Sequence, residues 1–162
     1  MTVRVAQLLL IGALAVGGER VFAQTAELPI EDLAALQARA ESGEAKAQFQ
    51  LGRYYADGPA ETEDYAKARL WLRKAADQRD AEAQYRLAQL YFDGEGGPAD
   101  AAKGEALMSA AAEQGLLHAQ LDLAFSYRDA DEVAVDYAKS LRWFTAAAAQ
   151  GDPKAQLGLG FA

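Results

Sequence analysis

Residues 45–58 read AKAQFQLGRYYADG, residues 81–94 read AEAQYRLAQLYFDG, and residues 117–130 read LHAQLDLAFSYRDA. These stretches are copies of one another at an offset of 36 residues, and the offset never slips. Ala47-Gln48 returns as Ala83-Gln84, Ala119-Gln120 and Ala155-Gln156; Leu51 returns as Leu87, Leu123 and Leu159. Tyr55, Tyr91 and Tyr127 keep the same step, followed by Asp57, Asp93 and Asp129. A second segment opens at Asp64, Asp100 and Asp136, with Lys67, Lys103 and Lys139 just inside it. It passes Trp71, Leu107 and Trp143 and paired alanines (Ala75-Ala76, Ala111-Ala112, Ala147-Ala148), and closes on Gln78, Gln114 and Gln150. A fixed period of roughly 20–50 residues marks a stacked repeat architecture, in which each unit buries its apolar face against the next.

Each unit has two helical halves. Ala47, Leu51 and Tyr55 fall at i, i+4 and i+8, an apolar stripe on one helix face. Asp57-Gly58 and Asp93-Gly94 are expected to stop that helix, with the glycine in the left-handed conformation. Asp64, Asp100 and Asp136 sit where the second helix starts and can cap its free N–H groups. The second stripe is Ala68, Trp71, Leu72, Ala75 and Ala76; Gly115 and Gly151 end it in two units, and Arg79 fills that place in the first. Asp152-Pro153 is an N-cap followed by proline at the first helical position. Gly52, Ala88, Ala124 and Gly160 share one column of small residues, which allows two helices to approach closely. Residues 30–42 align with a second helix that has no first, a lid on the stack, and residues 152–162 form a first helix without its second. Between them lie complete units at 44–79, 80–115 and 116–151, and the fold expected is an all-α helix-turn-helix solenoid over residues 30–162.

The pattern Ala-x-Ala-Gln-x-x-Leu-Gly-x-x-Tyr, then Gly, then Asp-x-x-Lys-Ala and Trp-x-x-Lys-Ala-Ala, resembles the Sel-one-like repeat, a relative of the tetratricopeptide repeats. The first unit carries it as Ala45, Ala47-Gln48, Leu51-Gly52, Tyr55, Gly58, Asp64, Lys67-Ala68, Trp71 and Lys74-Ala75-Ala76. Ala130 replaces the loop glycine in the third unit, a departure that touches the inter-helix loop rather than the fold. The resemblance implies a right-handed superhelix of the tetratricopeptide type and a non-catalytic adaptor that gathers other proteins. Exported bacterial members are associated with the cell envelope. A cysteine-rich branch is linked to β-lactam chemistry; this chain has no Cys, and that activity is not carried over.

Composition narrows the function classes further. The 162 residues are 51% hydrophobic and 25% charged, with no Cys, one His and a formal charge of −8. Without Cys there is no disulfide framework and no thiol nucleophile. An acidic balance argues against nucleic acid and anionic membrane surfaces, which call for a basic footprint. Residues 1–23 have the form of a secretory signal: Arg4, an apolar run over Val5–Val16, and Val21-Phe22-Ala23 as the cleavage pattern. That apolar run is shorter than the roughly 20 residues a membrane-spanning helix takes. Export to the periplasm or beyond, with cleavage after Ala23 and a short linker at 24–29, is the expectation.

By resemblance to tetratricopeptide stacks, the outward face of each first helix lines a concave groove. Its columns are Lys46/Glu82/His118, Phe49/Tyr85/Leu121 and Arg53/Gln89/Phe125. Their mixture of aromatic, aliphatic and cationic groups suits an extended peptide or partner helix, with Phe49, Tyr85 and Phe125 as anchors beside Arg53, Gln89 and Leu121. The bland alternative is aromatics filling space between helices. His118 shares its column with Lys46, Glu82 and Lys154 and is expected at the surface. The acidic stretch from Asp129 fails as a calcium loop, with Val133, Ala134 and Ser140 at required positions. Gly94-Glu95-Gly96-Gly97-Pro98 follows a helix and lacks a Lys-Ser/Thr ending, so it reads as a helix–helix turn, not a phosphate loop. Trp71 and Trp143 lie on the core stripe. Neither cofactor nor metal is expected. The apolar C-terminal half-unit (Leu157, Leu159, Phe161) offers a route to a homo-oligomer, the structural rival to the adaptor. An enzyme acting on cell-wall or β-lactam substrates is the least supported alternative, because no nucleophile or carboxylate pair is marked by spacing.

Overall fold

The computed structural model describes residues 33–59, 63–129 and 136–160. Among these residues the chain forms eight helices and no strand. They are α1 (Leu33–Glu41), α2 (Ala45–Asp57), α3 (Tyr65–Asp77), α4 (Ala81–Asp93), α5 (Ala101–Glu113), α6 (Leu117–Asp129), α7 (Tyr137–Ala149) and α8 (Pro153–Gly160). Each helix packs on its neighbours in sequence, which makes an all-α solenoid of three helix pairs between two single helices. The leader segment and the expected start of the lid fall outside the described residues.

The stripes become the core. Ala47, Leu51, Ala83, Ala119, Ala124 and Ala155 are fully buried, as are Ala68, Ala75, Ala111 and Ala147 on the second helices. Burying a Leu such as Leu51, Leu72 or Leu87 stabilises by about 1.5–3 kcal/mol. The alanines set the helix spacing. A Cβ on Gly52 would lie 2.7 Å from Cγ of Leu72, so this column holds only the smallest side chains.

A repeated glutamine network ties the units together. Gln48, Gln84 and Gln120 are buried and donate through Nε2 to the carbonyls of Ala40, Ala76 and Ala112, at 3.0, 3.3 and 3.0 Å. Their Oε1 atoms accept from Nε2 of Gln78, Gln114 and Gln150 at 2.8, 2.7 and 2.8 Å. Each buried glutamine therefore bonds the helix before it and the helix after it, and its polar atoms are satisfied inside the core.

The caps follow the aspartates. Asp64, Asp100 and Asp136 each accept the backbone N–H three residues on at 3.0 Å, from Lys67, Lys103 and Lys139. Asp80 and Asp152 do the same for Ala83 and Ala155. Second helices end with Gly115 and Gly151 at φ +90° and +86°, and Arg79 adopts φ 67° in that column. Gly94 is left-handed as expected, at φ 72°, but Gly58 is not: it is extended, at φ −75° and ψ −176°. Pro59 is the reason, because a residue before proline is driven out of the helical regions into extended backbone.

The Gly94–Pro98 segment is a helix–helix turn, held by a residue far away in sequence. Arg69, buried on α3, donates through Nη2 to the carbonyls of Leu90 at 2.9 Å and Pro98 at 3.1 Å. Its guanidinium lies 4.3 Å from the Tyr91 ring centroid. Gly97 leaves room for it, since a Cβ there would sit 2.5 Å from Arg69 Nη1.

Candidate functional site

The core stripe of each first helix decides what its other face carries. With Ala47 and Leu51 turned inward, residues two positions on are rotated by roughly 200° onto another face of the helix. Phe49 and Arg53 on α2, Tyr85 and Gln89 on α4, and Leu121 and Phe125 on α6 all lie on that face. Arg53 is exposed; the other five are half-buried.

Their surroundings differ. Phe49 packs at the edge of the α3–α4 core, with the Arg53 guanidinium 5.9 Å from its ring centroid. Phe125 meets Phe144 edge-on, with ring centroids 5.1 Å apart, and Arg128 lies 4.8 Å from the Phe125 ring centroid. Leu121 packs against the α6–α7 core. Tyr85 is held at its hydroxyl, which donates to Asp122 Oδ2 at 2.8 Å and accepts from Gln89 Nε2 at 3.0 Å. Burial first, and then the bond to Asp122, pushes the Tyr85 phenol up to about 12. Its ring is tilted against exposed His118 at 6.3 Å.

A polar line thus crosses the face. Asp57 lies 3.4 Å from Arg53 Nε and 3.5 Å from Arg86 Nη2. Arg86 Nη1 donates to Gln89 Oε1 at 3.4 Å, and Gln89 leads through Tyr85 to Asp122. Two depressions flank the line. One, of about 170 Å³, lies between α2 and α4 and is walled by Arg53, Asp57, Arg86 and Gln89 among others. The other opens at Asp122, Phe125, Ser126 and Asp129. There Asp129 is paired with Arg128 at 2.6 Å, and that hydrogen bond lowers its carboxyl below the ordinary aspartate range. The face therefore carries paired charges at both ends, Arg53 and Arg86 with Asp57 at one and Arg128 with Asp129 at the other, and aromatic edges along its length. Such a surface can hydrogen-bond and pack an extended chain.

Position-by-position reading of the sequence missed Asp57, Arg86 and Asp122. The signal was present: Arg86 and Asp122 occupy one column, directly after the Tyr85/Leu121 column. Leu157, read from the sequence as part of the apolar C-terminal half-unit, is also the next member of the Phe49/Tyr85/Leu121 column and is 64% exposed. Trp143 is core, 5% exposed, whereas Trp71 is half-buried with Lys74 Nζ 3.9 Å from its ring centroid. Residues 130–135, where the calcium pattern was weighed, fall outside the described residues. Among the described residues no group of three or more His, Asp or Glu could hold a metal ion, and no helix is long and apolar enough to cross a membrane.

Comparison with known proteins agrees with this architecture. The Sel1 repeat family profile matches residues 45–80, 81–116 and 117–152. Among solved structures, the chain is similar to a Sel1 repeat protein from Oxalobacter formigenes, with 34% identity and a TM-score of 0.69, over 82% of this chain and 100% of that one. It is also similar to c5321, a protective antigen present in uropathogenic Escherichia coli strains that displays an SLR fold, with 42% identity and a TM-score of 0.68. That match covers 76% of this chain and 26% of the antigen. A comparison with curated proteins found no match.

Proposed function

The chain belongs to the Sel1 repeat family, whose members are generally protein-interaction modules, and from that premise we propose that it is an exported, non-catalytic adaptor of the cell envelope. It seats a peptide or protein segment along the outward faces of α2, α4 and α6. Phe49 and Phe125 supply apolar contact, and the exposed Arg53 meets an anionic or carbonyl-rich part of the partner. Tyr85, Gln89 and Leu121 form the floor between them.

The observation that carries this reading is the pair of depressions on one face, joined by the polar line from Asp57 to Asp122. An extended segment that spans both meets charged pairs at either end and aromatic edges between them. Residues 1–23 support export through their signal-like form.

Photo-crosslinking in cells tests the proposal, with the reactive residue placed at position 125 or 118 and an exposed control at position 70 on the far side of α3. A discrete protein adduct from 125 and 118 but not from 70 is the expected result. Adducts equal at all three positions, or none at 125 and 118, would overturn the groove.

A further inference from the structure

Tyr55, Tyr91 and Tyr127 lie near the ends of α2, α4 and α6, and each is met from the helix before and the helix after. The helix after supplies a lysine every time: Nζ of Lys67, Lys103 and Lys139 lies 5.2, 5.6 and 4.7 Å from the three ring centroids. The helix before supplies a different group each time. Gln37 Nε2 donates to the Tyr55 hydroxyl at 3.5 Å, Arg73 Nη2 donates to the Tyr91 hydroxyl, and the Tyr127 hydroxyl donates to Glu105. The fold thus accepts a neutral, a cationic or an acidic group at this contact, and the cation on Tyr91 is no requirement of the repeat.

At Tyr91 the cations accumulate. Arg69 and Arg73 of α3 and Lys103 of α5 lie 4.3, 5.8 and 5.6 Å from this one ring centroid. Lys103 Nζ is bonded to Asp100 at 2.8 Å, but neither guanidinium is paired with a carboxylate among the described residues. Three cations against one carboxylate leave an excess of two positive charges, in a chain whose net charge is −8. Arg69 is only 8% exposed, and its Nε is buried without a hydrogen-bond partner among the described residues, so solvent screens its charge weakly. Arg73 and Lys103 are exposed. The Lys103 ammonium is held above its ordinary range, first by its bond to Asp100, and Arg73 opposes that rise as a like charge. Like charges gathered in this way repel one another until a counter-charge joins them.

We propose that the junction of α3, α4 and α5 binds a phosphate-type dianion through Arg73 and Lys103, with the field of the buried Arg69 adding to theirs. A phosphate monoester carries about −1.5 to −2 charges at pH 7, which matches the excess at the junction. A guanidinium presents its N–H groups as a fork that suits phosphate oxygens. Arg73 is anchored in advance by the Tyr91 hydroxyl, which lowers the ordering cost of binding, and its remaining N–H groups make no hydrogen bond among the described residues. Lys103 keeps donors beyond the one bonded to Asp100. A carboxylate, with one charge, leaves half of the excess unanswered. A long polyanion is repelled by the acidic remainder of the chain, so the ligand is a single compact phosphate, free or borne on a small molecule. The site lies apart from the groove and uses none of its residues.

The test is an NMR titration of the nitrogen-15-labelled full chain with inorganic phosphate, phenyl phosphate and acetate, each at the same ionic strength. Both phosphates are expected to give saturable shifts of the Arg73 Nε–H and of the backbone amides around Arg73 and Lys103, and acetate none. Tighter binding of phenyl phosphate assigns the site to a phosphorylated molecule; equal or weaker binding assigns it to the free anion. Arg73→Gln places in this column the residue type that Gln37 already holds there, and should weaken phosphate binding by about tenfold or more, the scale of about 1.4 kcal/mol. Lys103→Gln should weaken it several-fold, and Lys154→Gln, which removes an exposed charge on α8, should leave it unchanged. Absence of saturable shifts, an equal response to acetate, indifference to both junction variants, or an equal loss with Lys154→Gln would overturn the proposal. Unchanged melting temperatures of the junction variants show that binding, and not folding, is what they lose.

Discussion

At the scale of single residues, backbone conformation and polar satisfaction decide which positions are optimised. Arg79 holds φ 67° in a column where the other units have Gly43, Gly115 and Gly151. A left-handed conformation costs a residue with a Cβ about 1–2 kcal/mol, and a glycine pays none of that steric cost. Its backbone N–H already donates to the Ala76 carbonyl at 2.9 Å, and glycine retains that bond. Arg79→Gly should therefore stabilise the chain by about 1 kcal/mol, read as a higher midpoint in urea; an unchanged or lower midpoint refutes the account. Gln84 illustrates the opposite case. Replacing it with Ala removes the side-chain donor of the Ala76 carbonyl and the nearer of the two acceptors of Gln114, in or beside a buried layer. The expected loss is about 2 kcal/mol. Gln156→Ala, in the same column but exposed, should change the midpoint by less than about 0.5 kcal/mol. Equal losses at the two positions would mean that the glutamine network contributes nothing specific.

At the scale of helices and their caps, most of the structure was legible because the unit repeats. The columns Ala47/Leu51/Tyr55 and Ala68/Leu72/Ala75 gave the helices, and the aspartates gave their starts. What was not legible depended on neighbours. Gly58 departs from Gly94 only because proline follows it. Arg69 is buried although Glu105 and Leu141 in the same column are exposed, and nothing near it in sequence shows why, because its partner carbonyls on Leu90 and Pro98 lie 21 and 29 residues away. Arg86 and Asp122 escaped notice for a related reason: a polar line across three helices has no local periodicity. The caps also make a pH prediction. The backbone N–H of Lys67, with its ammonium second, lowers the Asp64 carboxyl; the Lys103 ammonium, with its N–H second, lowers Asp100. Both folded pKa values lie below the unfolded one of 3.8, so this stabilisation is complete above 3.8 and is lost as pH falls through the lower folded values. The double variant Asp64→Asn, Asp100→Asn keeps an acceptor at each cap but no charge. Its urea midpoint should lie below wild type at pH 7 and converge on it as pH falls below the two folded pKa values. Parallel pH profiles would show that the charges are irrelevant.

At the scale of the whole molecule, the stack is one-dimensional: helices meet only their neighbours along the chain in any substantial contact. Stability in such an array is a sum of units and of the interfaces between neighbours, so an element with one interface opens more cheaply than one with two. α8 has eight residues and one substantial interface, with α7. Its outer glutamine is unbonded among the described residues. α1 also has one interface, but the Gln48 bond to the Ala40 carbonyl and the Arg39–Glu44 pair close it onto α2. α4 and α5 sit in the middle, with the Arg69 clamp holding the turn between them. Native-state hydrogen exchange should therefore rank protection as α4 and α5 highest, α1 intermediate and α8 lowest. A flat profile, with α8 exchanging only on global unfolding, would show that the stack behaves as one cooperative block.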